Sequence, residues 1–240
     1  VVFGSDITAD NSTTYMSFFS QMDTYGDGYA GIGVWRAAFK PLVDRIADTD
    51  IRLQWFCCDR STGVTDASGK RVTLIRDTKY PVSVEYQTVK FIGTGRDNIK
   101  AGVFSGWELG DYIYLRSEEA YMIKMEALAH KGSADAITEL NSFMKTRQPD
   151  YNYTFTNKAD LIEEIIYQKR VEFWGEGLEY IDNRRLNIPV DRTDETWGAE
   201  NNNHFSAGKF RYNQEERPFL YQLPLSEIEN NSQLSPTDQN

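Results

Sequence analysis

A chain of 240 residues with 40% hydrophobic and 26% charged side chains can bury a core and is not disordered throughout. Its 26 Lys and Arg against 36 Asp and Glu leave a net charge of −10, which argues against nucleic acid and against an anionic membrane surface as partners. Its two cysteines, Cys57 and Cys58, are adjacent and form no disulfide framework, and no apolar run approaches the roughly 18 residues of a membrane-spanning helix.

The charge is uneven. Residues 1–110 hold 12 basic and 13 acidic side chains, whereas residues 111–240 hold 14 and 23. The first part is read as a loop-rich mixed region. Ser17 to Tyr25 reads as a helix end, and VWRAAFKPLVDRIA carries a helical period broken near Pro41. IRLQWFCC, VTLI and SVEYQTVKFI read as short strands. Trp35 and Trp55 follow apolar neighbours, so both are expected to pack.

From about Tyr112 the period becomes helical. Leu115, Ala120, Ile123, Ala127 and Leu128, with three- and four-residue steps from Ala120 to Ala127, predict one amphipathic face. Gly132 is a stop and Ser133 a start for a second helix whose Ala136, Leu140, Phe143 and Met144 share a face. The pair, over 115–147, makes a tetratricopeptide-like hairpin. A third helix is predicted from Lys158 to about Tyr180, capped by Asn157, with Leu161, Ile165, Ile166 and Phe173 inward. Asp191 to Arg217 is polar and Asn-rich, a surface excursion. The fold class is therefore mainly α with irregular loops and minor β. Residues 1–110 and 111–240 are expected to form one continuous structural unit.

Catalytic patterns are weak. His130 and His204 have no metal-ligand or triad spacing around them, so no metal and no cofactor is expected. Gly26 to Gly31 satisfies G-x-G-x-x-G, but no buried strand precedes it and no parallel βαβ unit follows. A calcium loop starting at Asp23 fails at its twelfth position, which is Val34 rather than a bidentate Glu. Glu172, Glu176 and Glu179 would share one helix face, where they cannot flank a sugar from opposite sides as a hydrolase requires. A structural ion-pair network with nearby basic residues accounts for them better.

Three stretches then carry a resemblance: LRSEEAYMIKMEALAHKG, AITELNSFMKTR and LIEEIIYQKRVEFWGEGLEYIDNRR. With Leu115-Arg116, Glu126-Ala127, Leu140-Asn141, Arg147, Glu172-Phe173, Glu176-Gly177 and Asp182 followed by Arg185, the chain resembles the C-terminal half of the SusD/RagB family. The final LPLSEIENN and the closing Gln239-Asn240 are similar to that family's end. The chain departs at Lys169-Arg170, where the family usually has Glu-Arg.

The resemblance implies a non-catalytic, surface-exposed outer-membrane lipoprotein of Bacteroidota that binds a glycan and delivers it to a TonB-dependent transporter of the SusC type. It implies a longer protein, with N-terminal helices and a lipid-bearing cysteine that is neither Cys57 nor Cys58. The alternatives are peptide or other nutrient binding, as in a RagB-like member, or a scaffold that mainly docks to the transporter. For the ligand, sugar rings stack on flat aromatic faces while Asn and Gln amides meet their hydroxyls. The candidates are Trp107, Trp197, Tyr25 and Tyr29, with Asn201 and Asn203. The proposed ion-pair network comprises Arg116, Glu126, Arg170, Glu172, Glu176, Asp182 and Arg185.

Overall fold

The computed structural model describes residues 2–8, 10–11, 17–23, 28–30, 33–58, 64–65, 71–72, 84–91, 110–216 and 221–238. The chain divides into two compact units, Val1–Glu172 and Phe173–Asn240. This division does not follow the change in charge near residue 110.

In the first unit the sheet content is minor and antiparallel. Strand β1 (Phe3–Ser5) pairs with β6 (Tyr112–Leu115), joining segments more than 100 residues apart. The remaining pairs are two-residue ladders: β2 (Phe56–Cys57) with β5 (Gln87–Thr88), and β3 (Val64–Thr65) with β4 (Arg71–Val72). Two short helices precede them. Helix α1 (Phe18–Met22) starts where the Ser17 hydroxyl accepts from the Ser20 N–H, and α2 (Lys40–Asp44) follows. Pro41 opens α2 rather than breaking a longer helix, because a first-turn residue needs no N–H partner. The IRLQW stretch read as strand is instead a 3₁₀ turn, Ile51–Trp55, with the Asp50 carboxylate accepting from the Arg52 N–H; only Phe56–Cys57 is extended.

The helical hairpin is α3 (Ser117–Lys131) and α4 (Asp135–Met144). Gly132 takes φ 73°, and its N–H bonds the Ala129 carbonyl while Ser133 N–H bonds that of Leu128. This two-bond ending satisfies the last carbonyls and requires a left-handed residue. The Ser133 hydroxyl then accepts from the Asp135 N–H and starts α4.

Helix α3 buries a different face from the one its apolar spacing predicts. Met122, Met125, Glu126 and Ala129 are inside and Ile123 and Ala127 are exposed, while Leu115, predicted on the same helical face, lies before the helix as the last residue of β6. The reason is α5 (Lys158–Glu172), against which α3 packs: α5 presents Lys169 there, so the buried stripe of α3 includes a carboxylate. Helix α5 itself is buried nearly all round from Glu164 to Lys169, polar residues included. Asn157 caps it through Asp160 N–H.

The third helix does not run to Tyr180. It ends at Glu172, and Gly175 (φ 78°) and Gly177 (φ 84°) turn the chain before α6 (Leu178–Arg185). The second unit continues with β7 (Val190–Asp191), a single turn α7 (Asp194–Trp197), β8 (Arg211–Tyr212) paired back onto β7, and α8 (Leu225–Asn230), whose Ile228 is buried. No helix among the described residues is long and apolar enough to cross a membrane.

Candidate functional site

The most concentrated charge chemistry is buried in the first unit around Glu172. Its Oε1 accepts from Arg116 Nη1 at 2.9 Å and Arg147 Nη2 at 3.0 Å. Its Oε2 accepts from Arg147 Nε at 3.2 Å and Arg52 Nη1 at 3.3 Å. Even its backbone carbonyl is taken, by Arg116 Nη2 and Lys90 Nζ, each at 2.7 Å. Arg52 continues inward to both Asp50 oxygens and to the Gln168 side chain. Burial alone would raise the Glu172 carboxyl, but the guanidiniums of Arg147, Arg52 and Arg116 bring it down to about 2. A carboxylate pinned in this way has no proton to give at neutral pH and is a poor general acid. Its place is structural: it ties α5 to the start of α3, the end of α4 and the 3₁₀ turn.

Of the other residues predicted for this network, Glu126 pairs with Lys169 at 3.1 Å, both buried, and lies 3.7 Å from His130. Asp182 pairs with Arg185 at 2.7 Å on α6. Arg170 is half-buried near the end of α5, and Glu176 lies in the turn before α6. Sequence reasoning left out Arg52, Asp50 and Lys90 because they come from the loop-rich region, where no helical period marks them.

Beside the Arg52 cluster lies an open cleft of about 320 Å³, lined in part by Arg45, Asp50, Tyr151, Tyr153, Glu164 and Tyr167. Arg45 stacks on Tyr167, its guanidinium 3.9 Å from the ring centroid, and also pairs with Glu164. Glu164 further accepts from the Tyr151 hydroxyl at 2.8 Å and the Gln168 amide at 2.6 Å. Burial and the Glu164 carboxylate push the Tyr151 hydroxyl far up, so it stays protonated as a donor.

The Asn-rich excursion of the second unit is ordered by two carboxylates. Asp191 accepts from the Thr193 N–H and hydroxyl, from the Thr196 hydroxyl and from Arg211. Asp194 holds Lys209 through both oxygens, at 2.7 and 2.8 Å, and accepts from the Asn202 amide. On this frame Trp197 donates its indole N–H to the Asp191 carbonyl at 2.9 Å, with 37% of its surface exposed. Asn201 and Asn203 are exposed on the same excursion, as is Phe205 at 75%. Asn202 between them is buried and serves the frame.

The predicted ligand residues are therefore distributed. Trp197, Asn201 and Asn203 share the excursion of the second unit, and Tyr29 is exposed in the first unit. Tyr25 and Trp107 lie outside the described residues. Trp35, expected to pack, is 45% exposed, because its apolar neighbour Val34 is itself on the surface. Trp55 is half-buried, with Lys90 Nζ 4.8 Å from its ring centroid. Phe205 and the cleft tyrosines were missed; the first is a lone aromatic among polar residues, a signal the sequence did contain.

Two solved structures share this fold. A SusD-like carbohydrate binding protein from Bacteroides vulgatus ATCC 8482 is 21% identical, with a TM-score of 0.64 over 97% of this chain and 48% of that one. A second protein of the same strain, provisionally named a sugar binding protein, is also 21% identical, with a TM-score of 0.65 over 100% of this chain and 45% of that one. The chain thus spans about half the length of either. No curated protein matches it. The sequence pattern of the SusD family matches residues 8–240, nearly the whole chain and the helical hairpin with it, and the protein belongs to the SusD family.

Proposed function

We propose that this chain binds carbohydrate without cleaving it, and that the excursion of the second unit is a contact surface for the sugar. The observation that carries this reading is Trp197. Its indole N–H is satisfied internally, its position is fixed by the Asp191 and Asp194 frames, and part of its ring still faces solvent. An aromatic face held rigid before binding loses little conformational entropy on stacking, and the exposed amides of Asn201 and Asn203 offer both donors and acceptors to ring hydroxyls. The names of the two structural neighbours, one for carbohydrate and one for sugar binding, point the same way.

In this reading the intact protein is a lipid-anchored receptor on the outer membrane that passes the glycan to a SusC-like TonB-dependent transporter. The test is intrinsic tryptophan fluorescence titrated with plant, host and microbial oligosaccharides, with peptides as the comparison arm. A saturable change with one glycan class, no release of reducing ends over time, and loss of the response in Trp197→Ala support the proposal. A saturable response to peptides alone replaces it with a peptide-binding role, and time-dependent release of reducing sugar replaces it with hydrolysis.

A further inference from the structure

We infer that the cleft of the first unit is a second, separate ligand site that admits a single neutral, hydroxyl-rich ring of monosaccharide size. The inference rests on the carbohydrate reading for its ligand class but not on the Trp197 surface.

Size comes first. The cleft's volume of about 320 Å³ sits at the small end of the roughly 300–1,000 Å³ of ligand pockets, room for one sugar ring rather than a long chain. Its aromatic lining is preorganised. Tyr151 and Tyr167 are buried, with hydroxyls committed to Glu164 and to the Leu42 carbonyl. Tyr153 is half-buried, anchored by its hydroxyl on the Asp160 carbonyl and by its N–H on Asn141. Tyr167 already carries the Arg45 guanidinium on its ring and Tyr151 is nearly covered, so the half-buried Tyr153, held by its hydroxyl at the far end, has the most ring surface to offer a ligand.

Charge then selects the class. Among the lining residues Asp50, Asp150 and Glu164 outnumber Arg45, so an anionic ligand meets net repulsion. Asp50 and Glu164 are occupied by Arg52 and by Arg45, Tyr151 and Gln168. Asp150 differs: its side chain is exposed at the mouth and accepts from the Thr49 hydroxyl at 2.6 Å through Oδ1. Hydrogen bonds from Thr49 and Gln148 hold its carboxyl below the usual range, so at neutral pH it is an ionised acceptor. Beside it, the exposed Asn152 supplies an amide with donors and an acceptor. Ring faces for C–H surfaces, a carboxylate for hydroxyl protons and an amide for either suit a neutral polyol ring.

The experiment is saturation-transfer NMR on the Trp197→Ala protein with methyl glucoside, methyl galactoside and methyl xyloside, and with glucuronate and glucosamine as charged arms. Asn152→Ala and Asp150→Ala alter exposed side chains, and a melting curve confirms that each variant stays folded. The expected result is saturable binding of at least one neutral glycoside, weakened about tenfold by each cleft variant, the loss of one good hydrogen bond to a charged or polar partner, with glucuronate weaker still. No saturable binding in the Trp197→Ala background, binding indifferent to both cleft variants, or glucuronate binding as well as the neutral sugars would each overturn the inference. Failure of the wild-type fluorescence titration alongside cleft binding by NMR would sink the Trp197 reading alone.

Discussion

Arg52 and Glu172 lie 120 residues apart in sequence, yet their side chains meet at 3.3 Å with 1% of either exposed. Between them they join the loop-rich region to the last turn of α5, where Asp50 and Glu172 are shared among the guanidiniums of Arg52, Arg116 and Arg147, and Glu118 pairs with the last two as well. A buried ion pair is not in itself a large net stabiliser, because desolvation offsets the attraction. It becomes decisive when one member is removed and the others stay buried.

Glu172→Gln is therefore expected to destabilise the protein by about 3–5 kcal/mol, since Arg52 would remain buried with a diminished set of counter-charges. Chemical denaturation with both fluorescence and circular dichroism measures the loss. A cost below about 1 kcal/mol would show that water reaches Arg52 and relieves it.

The same carboxylate makes stability depend on acid. Its folded value of about 2 lies below the ordinary 4.5, so its contribution is present in full above pH 4.5 and fades as pH falls from there toward 2. By linkage the loss is about 3 kcal/mol over that window. Urea midpoints at stepped pH values should show the decline in the wild type and a flatter profile in Glu172→Gln. Parallel profiles would assign the acid sensitivity to other carboxylates.

Much of the helical part was legible because local signals and tertiary packing agree there. Gly132 and Ser133 specify the hairpin turn through backbone geometry alone, and Ala136, Leu140 and Met144 of α4 are buried where the period puts them. The face of α3 was not legible. The residues that decide it, Lys169 and Glu126, are charged, and a hydrophobic period counts charged positions as outward. The end of α5 was missed for a different reason: apolar residues continue past Glu172, and only the left-handed backbone of Gly175 and Gly177 stops the helix. The cleft was invisible because its tyrosines and carboxylates come from three separated segments.

The pairing of Lys169 with Glu126 leads to a double-mutant prediction. Lys169→Met alone leaves Glu126 buried beside a partly exposed His130 and should cost about 3–5 kcal/mol. Adding Glu126→Leu removes the stranded charge and should restore most of the loss, a coupling well beyond the roughly 0.5 kcal/mol of independent sites. Additive effects would show that the two groups do not depend on each other.

Gly177 tests the break between α5 and α6. A Cβ there meets no atom within 4 Å, so any cost of Gly177→Ala comes from the backbone at φ 84° and not from a clash. The left-handed conformation penalises a non-glycine residue by about 1–2 kcal/mol. For a chain of this size, about 2–4 °C per kcal/mol gives a fall of roughly 2–8 °C in Tm. Alanine normally favours helices, so an unchanged or raised Tm would mean that α5 and α6 can join when the glycine is removed.

Trp197 separates binding from stability. Its side chain is partly exposed and its indole N–H bonds the Asp191 carbonyl, a hydrogen bond whose loss in Trp197→Ala should cost about 1 kcal/mol of stability. A stacking face lost from a sugar site, by contrast, should weaken glycan binding at least about tenfold. Trp197→Phe distinguishes the two roles further. It keeps a ring for stacking and removes the indole N–H, so binding should recover in part even though the hydrogen bond to Asp191 is gone. If Phe binds no better than Ala, the indole acts by holding the excursion in place, and the sugar contact belongs to Phe205 or to Asn201 and Asn203 beside it.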